Sequence, residues 1–416
     1  MTRVILHSDL NNFYASCELI RRPELKDKRL VVCGSVKDRH GVVLAKNYNA
    51  KAYGITTGMP LIRAYELCPD LVAVEADFHY YLHYSRLVRK IYDDYTDKVE
   101  PFGIDEAWLD VTNSKFLGSG EEIADEIRSR VKTLGLTASV GVSFNKIFAK
   151  LGSDLKKPDA TTVITTDNYK DIVWPLPASE LLFVGRKTAQ KLKKYNINTI
   201  GDIARSDRNF LVREFGKVGE YFYDHALGKD DDPVKRTDES DDIKSIGNSM
   251  TCYRDLVTID DVKVLLLVLC DSVSARLIAD DVGAATVVTV TVRDEFLKSF
   301  TRQSKLPKPS VLSDDFFKCA LKLFTDNYSF SAGVRSLGVS VGGFVKDGGG
   351  QISMFDDDAD YDKRVKLAGA VGKIRNKYGN VSVMKARNLT DKRIKMNDDS
   401  LSSLSAPPKD TGDEDL

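Results

Sequence analysis

The 416-residue chain lacks the features that mark secreted, membrane-spanning and zinc-bound proteins. Its six cysteines are scattered without a Cys-x-x-Cys pair, and its five histidines are equally dispersed. Neither a disulfide framework nor a zinc site is therefore expected. No apolar run reaches the length of about 18 residues that a membrane span needs, and no signal-peptide pattern opens the chain. We expect a cytoplasmic protein with reduced thiols and no membrane partner.

Net charge is also absent, because 61 Lys and Arg balance 61 Asp and Glu. This balance by itself argues against a nucleic-acid partner. The charges are segregated, however, and segregated charge lets one face of a near-neutral protein bind phosphates. Acidic residues concentrate at 230–232, 238–242 and 356–358. Basic residues form two clusters: Lys146, Lys150, Lys156 and Lys157, then Arg186, Lys187, Lys191, Lys193 and Lys194.

Three carboxylates have positions that suggest chemistry. Asp9 ends an apolar strand-like segment, and the adjacent Asp105 and Glu106 lie between two further strand-like segments. Side chains placed in this way can converge on one point. Hard oxygen ligands suit a pair of Mg²⁺ ions, and two such ions can drive phosphoryl transfer. The alternative is that all three are ordinary turn carboxylates, since turns favour Asp.

The hydrophobic pattern predicts a multidomain α/β chain. Residues 1–166 alternate strand and helix patterns, and 167–235 are helical and basic, with a possible helix-hairpin-helix around Gly185. A plain helical connector is the alternative for that hairpin. A charged linker at 236–242 precedes a second α/β unit at 243–345, with helices at 258–279 and 314–325 and strands at 286–292 and 336–341. An amphipathic helix is predicted at 363–378, and residues 394–416 are expected to be disordered. The predicted apolar face of that helix consists of Val365, Leu367, Val371, Ile374 and Tyr378.

Four segments, taken in order, carry a resemblance to a known family. They are 8–16 (SDLNNFYAS), 45–51 (AKNYNAK), 103–107 (GIDEA) and 143–146 (SFNK). Each is weak alone, but in this order and spacing the chain resembles the Y-family DNA polymerases, in their DinB-type, polymerase IV-like bacterial branch. The resemblance extends from residue 1 to about 345, with a family-like tail beyond it.

The resemblance implies a right-hand architecture. The palm would comprise 1–12 and 78–166, the fingers 13–77, the helical thumb with its helix-hairpin-helix 167–235, and the little finger 243–345, with a tail at 346–393. It implies a monomeric, nucleoid-associated enzyme that adds nucleotides from dNTPs to a primer 3′-hydroxyl on primer–template DNA. Such an enzyme is error-prone and acts in translesion synthesis and DNA repair.

Site residues follow from the same resemblance. Asp9, Asp105 and Glu106, with the Leu10 carbonyl, would hold two Mg²⁺ ions. Tyr14 would be a steric gate against ribose, with Phe13 beside it. Tyr48, Lys51 and Lys157 would contact the triphosphate of the incoming nucleotide. The residues that would contact DNA are Gly185, Lys187, Ser245, Gly247 and Arg335. Phe13 and Tyr14 could instead be core aromatics. Lys51 stands where the family commonly has Arg, which removes the bidentate phosphate geometry but keeps the charge.

The segment that follows the glycine run 348–350 resembles the sliding-clamp pentapeptide of bacteria. In this interpretation Gln351 forms hydrogen bonds to the clamp, while Ile352, Met354 and Phe355 occupy an apolar pocket. The alternative is a tail segment that folds back on the body. Two other functions stay open: an inactive, clamp-bound scaffold of the same fold, and a different two-metal palm enzyme such as a nucleotide cyclase.

Overall fold

The computed structural model describes residues 2–34, 41–239, 242–346, 358–389, 391 and 394. These residues fall into two compact units, one holding 2–34 and 41–239 and the other holding the rest from 242 onward. Each unit combines helices with β-sheet, so the predicted multidomain α/β fold is confirmed. The candidate clamp-binding segment 351–355 lies outside the described residues.

The first unit contains two sheets. Its strands are β1 (Ile5–Leu10), β2 (Leu30–Cys33), β3 (Val43–Lys46), β4 (Val72–Glu75), β5 (Val99–Pro101), β6 (Glu106–Asp110), β7 (Ala138–Ser143) and β8 (Thr161–Val163). Five strands form a sheet in the order β5-β6-β1-β7-β8, and three form a sheet in the order β3-β2-β4. Strand β1 is central, and it pairs antiparallel with both β6 and β7.

Helices surround these sheets, as the alternating strand and helix patterns of 1–166 and the helical pattern of 167–235 predict. They are α1 (Phe13–Arg21), α2 (Tyr48–Lys51), α3 (Leu61–Leu67), α4 (Phe78–Asp93), α5 (Gly120–Thr133), α6 (Lys146–Leu155), α7 (Tyr169–Val173), α8 (Arg186–Lys194), α9 (Ile200–Arg205), α10 (Arg208–Phe215) and α11 (Lys217–Ala226). Side-chain caps fix several starting points: Asn145, for example, accepts from the Phe148 N–H at the start of α6. No described helix has both the length and the apolar character needed to cross a bilayer.

Helix α6 lies directly against strand β7 through two glycines. A Cβ added at Gly141 would lie 2.6 Å from the Ser153 nitrogen and closer still to the Ala149 carbonyl oxygen. Gly152 faces this contact from the helix, with a built Cβ only 3.0 Å from the Gly141 Cα. Glycine inside a strand often marks such a close backbone approach. This contact sets how near the α6 side chains come to strand β1.

The second unit is a four-stranded antiparallel sheet covered by helices on one face. Its strands are β9 (Ser245–Leu256), β10 (Ala285–Asp294), β11 (Ser299–Ser310) and β12 (Val334–Gly342), in the order β11-β10-β12-β9. Its helices are α12 (Ile259–Asp280), α13 (Ser313–Asn327) and α14 (Asp358–Tyr378). The sequence pattern missed β9 and β11, because the outward positions of these strands are polar or charged and dilute the apolar alternation.

Helix α14 packs on α12 through a face that differs from the predicted one. Leu367 is 64% exposed, and Ile374 and Tyr378 are also exposed, so the predicted apolar face is wrong at these three positions. Ion pairs, rather than apolar contacts, determine which face of α14 packs on α12. Asp271 of α12 is only 6% exposed, and its carboxylate lies 3.3 Å from the Arg375 guanidinium and 3.1 Å from Lys385 Nζ. A buried carboxylate needs such partners.

We expect Gly141→Ala to destabilise the first unit by about 3 kcal/mol, because the new methyl group would clash with backbone atoms that cannot rotate away. Urea unfolding followed by circular dichroism measures the change. Gly34→Ala is the matched control, since a Cβ there meets no atom within 4 Å, and it should shift stability by no more than about 0.5 kcal/mol. Equal effects of the two substitutions would contradict the close-contact interpretation.

Candidate active site

Strand pairing brings the three predicted carboxylates together at one end of the central sheet. Asp9 of β1 lies directly across from Glu106 of β6 in the antiparallel register. The Leu10 N–H donates to the Asp105 carbonyl at 3.0 Å, which holds Asp105 beside the end of β1. Asp9 is buried, whereas Asp105 and Glu106 are half-buried. A carboxylate cluster open on one side is the result.

Two lysines supply the positive charge at this cluster. Lys150 Nζ, on α6, lies 3.2 Å from Asp9 Oδ2 and 2.6 Å from Glu106 Oε2. Lys157 Nζ lies 2.7 Å from the same Asp9 oxygen and 2.8 Å from Asp154 Oδ1. Burial alone would lower the pKa of Lys150, but the charges of Asp9 and Glu106 raise it. Both ammonium groups therefore stay charged and neutralise the carboxylates.

The carboxylates differ in how easily they ionise. Burial, together with the charges of Glu106 and Asp9, raises the pKa of Asp105 to about 6. Burial would also raise the pKa of Glu106, but contacts with His7 and Lys150 outweigh it and lower that pKa to about 2. Among the described residues, the charge of Lys150 offsets only a small part of this rise at Asp105. Asp105 would gain most from additional positive charge.

The buried imidazole of His7 contacts the Glu106 carboxylate. The imidazole is fully buried, with Nε2 3.2 Å from Glu106 Oε2 and Nδ1 2.9 Å from the Ser153 hydroxyl. Burial lowers the pKa of His7, so the ring is neutral near pH 7. The Ser153 hydroxyl donates its own proton to the Lys150 carbonyl at 2.7 Å, so it contacts Nδ1 as an acceptor, and Nε2 is the ring nitrogen that faces Glu106. Helix α6 thereby orients Glu106 through Ser153 and His7.

The donor set is suited to hard divalent cations by ligand type. Asp9, Asp105 and Glu106 offer only carboxylate oxygens, the ligands that Mg²⁺ prefers. Across the described residues no three His, Cys, Asp or Glu side chains are arranged closely enough to hold an ion as they stand. The two lysine ammonium groups occupy the space beside Asp9 instead. Their presence is itself a sign that this point attracts cations.

The aromatic pair after β1 divides into one core residue and one residue at the site. Phe13 is only 2% exposed and belongs to the main core, so its ring has no surface to offer a substrate. Tyr14 is half-buried and stacks on Tyr81, with ring centroids 4.6 Å apart. Burial, and then the charge of Asp105, raises the pKa of Tyr14 to about 12. Tyr14 therefore lies beside the carboxylates with its orientation fixed by stacking.

Tyr48 and Lys51 lie on the short helix α2 on another side of the site. Both are exposed, and Lys51 Nζ lies 5.7 Å from the centroid of the Tyr48 ring. Burial raises the pKa of Tyr48, with opposing effects from the charges of Lys157 and Asp9. The Tyr48 hydroxyl is therefore within electrostatic reach of the same lysine and carboxylate.

The predicted hairpin of the helical segment is exposed. Gly185 caps α8 without a side-chain hydrogen bond, and Lys187 lies in the exposed first turn of that helix. A Cβ at Gly185 would meet no atom within 4 Å, so another backbone could approach closely here. Free N–H groups at a helix N-terminus attract phosphate. Neither residue is near the carboxylates in sequence, and both lie on the first unit with them.

The second unit separates its three predicted DNA contacts. Ser245 and Gly247 pair with Gly342 and Ser340 at one end of the β9–β12 ladder, whereas Arg335 lies at the other end, beside an irregularity in the pairing. Alternate β9 positions, including Ser245 and Gly247, are exposed. The sheet therefore presents an open polar face of small residues at this end of β9. These polar outward positions also explain why the sequence pattern does not indicate a strand at β9.

Sequence reasoning missed three residues at the site: His7, Lys150 in its role as a carboxylate partner, and Asp154. A signal existed for His7, which precedes Asp9 by two positions and so shares its face of the strand. For Lys150 and Asp154 the signal was only a helical i, i+4 pair. Their contact with Asp9 and Glu106 depends on the approach of α6 to the sheet. The clamp-segment residues Gln351, Ile352, Met354 and Phe355 lie outside the described residues.

Known proteins match both the fold and the carboxylate segments. A sequence model of the impB/mucB/samB family matches residues 8–154, and a model of that family's C-terminal domain matches residues 243–354. DNA polymerase IV of Acetivibrio thermocellus is 46% identical over 397 residues, which cover 95% of this chain and 99% of that protein. DNA polymerase IV 1 of Bacillus subtilis is 35% identical over 397 residues, with 95% of each chain covered.

Solved structures agree with these relatives. A chimera of the Y-family DNA polymerases Dbh and Dpo4 superimposes with a TM-score of 0.74 at 28% identity, covering 83% of this chain and 100% of that one. An insertion ternary complex of Dbh DNA polymerase gives 0.56 at 27% identity with the same coverage. The fold is that of a Y-family DNA polymerase. The chain belongs to the impB/mucB/samB family, which confirms the predicted polymerase IV-like resemblance and favours a polymerase over the inactive scaffold or the cyclase.

Asp105 makes the metal-free protein less stable at neutral pH. An aspartate whose pKa is higher in the folded than in the unfolded chain destabilises the fold once it ionises. The cost is absent below pH 4 and complete above pH 6. We expect Asp105→Asn to raise the unfolding free energy at pH 7.5 in EDTA by at most about 3 kcal/mol, with the gain vanishing at pH 4. Thermal unfolding at both pH values measures it; a less stable variant at pH 7.5 would contradict the account.

Proposed function

We propose that the chain catalyses template-directed DNA synthesis, adding deoxynucleotides to a primer 3′-hydroxyl, with the open active site of an error-prone, lesion-bypassing polymerase. The observation that carries this proposal is the register of β1 against β6, which sets Asp9 across from Glu106 with Asp105 alongside. A phosphoryl-transfer site needs such a cluster, open to solvent on one side and flanked by cations. The protein would act as a monomer on primer–template DNA.

The carboxylates would hold two Mg²⁺ ions. Asp9, Asp105 and Glu106 would hold the ions together, with Glu106 on the side of the primer 3′-hydroxyl and the Leu10 carbonyl on the side of the nucleotide. Bound there, the ions would lower the pKa of the 3′-hydroxyl and stabilise the leaving pyrophosphate. His7 keeps Glu106 oriented for this role. Lys150 and Lys157, whose ammonium groups contact Asp9, lie close enough to the carboxylates to face the phosphates of a nucleotide bound there, and this placement supports the triphosphate role of Lys157.

The nucleotide would lie between helix α2 and the aromatic stack. Tyr48 and Lys51 would contact the triphosphate, with Lys51 acting as a point charge in place of a bidentate guanidinium. Tyr14 would close the space under C2′ of the sugar, because its stacking on Tyr81 leaves the ring little freedom to move. A 2′-hydroxyl would then clash, and deoxynucleotides would be favoured.

DNA would be held by both units. In the first, Gly185 and Lys187 offer an uncapped helix start and a cation to the phosphate backbone. In the second, the polar sheet face with Ser245 and Gly247, and Arg335 at the far end of the ladder, would contact backbone in a sequence-neutral way. We assign the palm to 1–12 and 78–166, the fingers to 13–77, the thumb to 167–235 and the little finger to 243–345.

The segment 351–355 would bind the bacterial sliding clamp. Its sequence, QISMF, follows the last strand of the second unit and the glycine run 348–350. Gln351 offers amide hydrogen bonds, and Ile352, Met354 and Phe355 offer apolar side chains to a pocket. Surface plasmon resonance on immobilised clamp tests this role, since replacing Met354 and Phe355 together by Ala should abolish binding. Unchanged binding would remove the assignment.

Primer extension on undamaged and abasic-site templates tests the polymerase proposal. With Mg²⁺ and dNTPs, the native chain should extend the primer by template-directed incorporation and bypass the abasic site. Glu106→Gln should lower the rate by about 10³-fold or more, because a lost metal ligand removes several kcal/mol of transition-state stabilisation.

Asp110→Asn is the matched control for that experiment. Asp110 occupies the other end of the same strand, where it accepts from the Thr112 N–H at 3.0 Å, and its loss should leave extension within a few-fold. No extension by a folded native chain, or equal losses in both variants, would overturn the proposal.

The steric-gate role of Tyr14 predicts a change in sugar selection. Tyr14→Ala should raise the relative kcat/KM for ribonucleotides over deoxynucleotides at least about tenfold, a difference of about 1.4 kcal/mol. Tyr14→Phe keeps the ring and should select sugars as the native chain does. Single-nucleotide incorporation with matched dNTP and rNTP measures both. Discrimination that survives in Tyr14→Ala would move the gate to another residue.

A further inference from the structure

Helices α1 and α4 enclose a carboxylate that lies outside the cluster at the sheet. Glu18 of α1 is fully buried, although a buried charge costs free energy unless it is paired and hydrogen-bonded. Its Oε1 accepts from the Tyr81 hydroxyl at 2.7 Å, and its Oε2 lies 3.1 Å from Arg22 Nη1. The contact with Tyr81 joins α1 to α4 inside the core.

Tyr81 of α4 is held by α1 at both ends of its aromatic side chain. Its ring stacks on Tyr14 with centroids 4.6 Å apart and planes 13° from parallel, and its hydroxyl donates to Glu18. Tyr14 and Glu18 are four positions apart on α1, so they lie on the same face of that helix. The Tyr81 side chain therefore spans one turn of α1. A ring held at two points has less freedom to tilt than a ring held by stacking alone.

Aromatic packing does not explain the Tyr81 hydroxyl. Burial, and then the hydrogen bond to Glu18, raises the pKa of Tyr81, so the hydroxyl stays protonated and acts as the donor. A phenylalanine at this position would keep the ring contacts with Phe13, Tyr14 and Phe78 and would need no buried acceptor. The hydroxyl and the buried Glu18 carboxylate therefore form a pair that the core does not require for its packing.

Tyr14 connects this buried pair to the candidate active site. It is half-buried, and it lies close enough to Asp105 for that charge to contribute to its raised pKa. A steric gate separates two sugars that differ by one hydroxyl group, so a small displacement of the ring would admit the larger sugar. The strictness of the gate therefore depends on what keeps the Tyr14 ring in place.

We propose that Glu18 is a positioning residue for sugar selection, which acts through Tyr81 on the ring of Tyr14. The inference rests on the proposed steric-gate role of Tyr14. Glu18 holds the Tyr81 hydroxyl, and the Tyr81 ring supports one face of the Tyr14 ring, which excludes the 2′-hydroxyl of a ribonucleotide. Glu18 itself is fully buried and has no surface to offer the nucleotide.

Removal of the hydrogen bond should relax sugar selection without slowing deoxynucleotide incorporation. Tyr81→Phe and Glu18→Ala should each raise kcat/KM for a ribonucleotide about three- to fivefold, an effect of the size that one hydrogen bond supplies. The kcat/KM for the matched deoxynucleotide should stay within about twofold of the native value, because no group that contacts it is lost. Single-nucleotide incorporation by the full chain measures both, and Tyr81→Phe carries the test if Glu18→Ala does not fold.

Two control variants separate the hydrogen bond from other effects of substitution. Glu18→Gln keeps an acceptor for the Tyr81 hydroxyl and should select sugars as the native chain does. Tyr84→Phe removes a hydroxyl one turn further along α4, where the ring packs edge-on against Tyr80, and it should also leave selection unchanged. Equal relaxation of selection in Tyr84→Phe and Tyr81→Phe would overturn the proposal.

A Tyr14→Ala background tests whether the effect passes through the gate. Tyr81→Phe should have no further effect on sugar selection in that background, whereas an equal effect in both backgrounds would contradict the proposed route. If Tyr14→Ala itself selects sugars as the native chain does, the gate assignment fails and this inference with it. If Tyr14→Ala relaxes selection but Tyr81→Phe does not, the gate stands and the role of Glu18 alone is removed.

Discussion

The site depends on a backbone contact, the approach of helix α6 to strand β7 at Gly141 and Gly152. Only glycine leaves room for it, and it brings an entire helix face within reach of the central strand. Ser153 then meets His7, and Lys150 meets Asp9 and Glu106. A larger residue at Gly141 would push the helix outward and separate all of these groups together. Catalytic geometry and local packing are therefore set by one constraint.

The close approach of α6 to β7 concentrates charged side chains at the site, and this charge lowers the stability of the fold. Three carboxylates lie at one end of the central sheet, and burial, together with their mutual repulsion, raises the pKa of Asp105. Lys150 and Lys157 form ion pairs with Glu106 and Asp9, whereas the charge of Lys150 offsets only a small part of the rise at Asp105. Because the negative charge of the carboxylates is only partly neutralised, the site is suited to binding divalent ions and, with them, a polyphosphate.

The sequence predicted the three carboxylates that the structure brings together but not the residues that contact them. Asp9, Asp105 and Glu106 were recognisable because strand ends and an ordered motif set marked them. Lys150 reaches Asp9 and Glu106 only because α6 packs closely against the sheet, and no local sequence pattern predicts that packing. Strands β9 and β11 were missed because their exposed positions are polar. The packed face of α14 was wrong because a buried Asp271 selects Arg375 over the apolar stripe, and periodicity counts only apolar residues.

A crystal structure of the chain with primer–template DNA, a non-hydrolysable dNTP and Mn²⁺ is the most direct test of the assembled site. Anomalous scattering locates each ion without reference to the protein geometry. We predict two Mn²⁺ peaks, both touching Asp9 and Asp105, one shared with Glu106 and one with the Leu10 carbonyl, and Lys150 moved off Asp9. A single peak, or peaks that do not contact Asp105, would contradict the two-ion account.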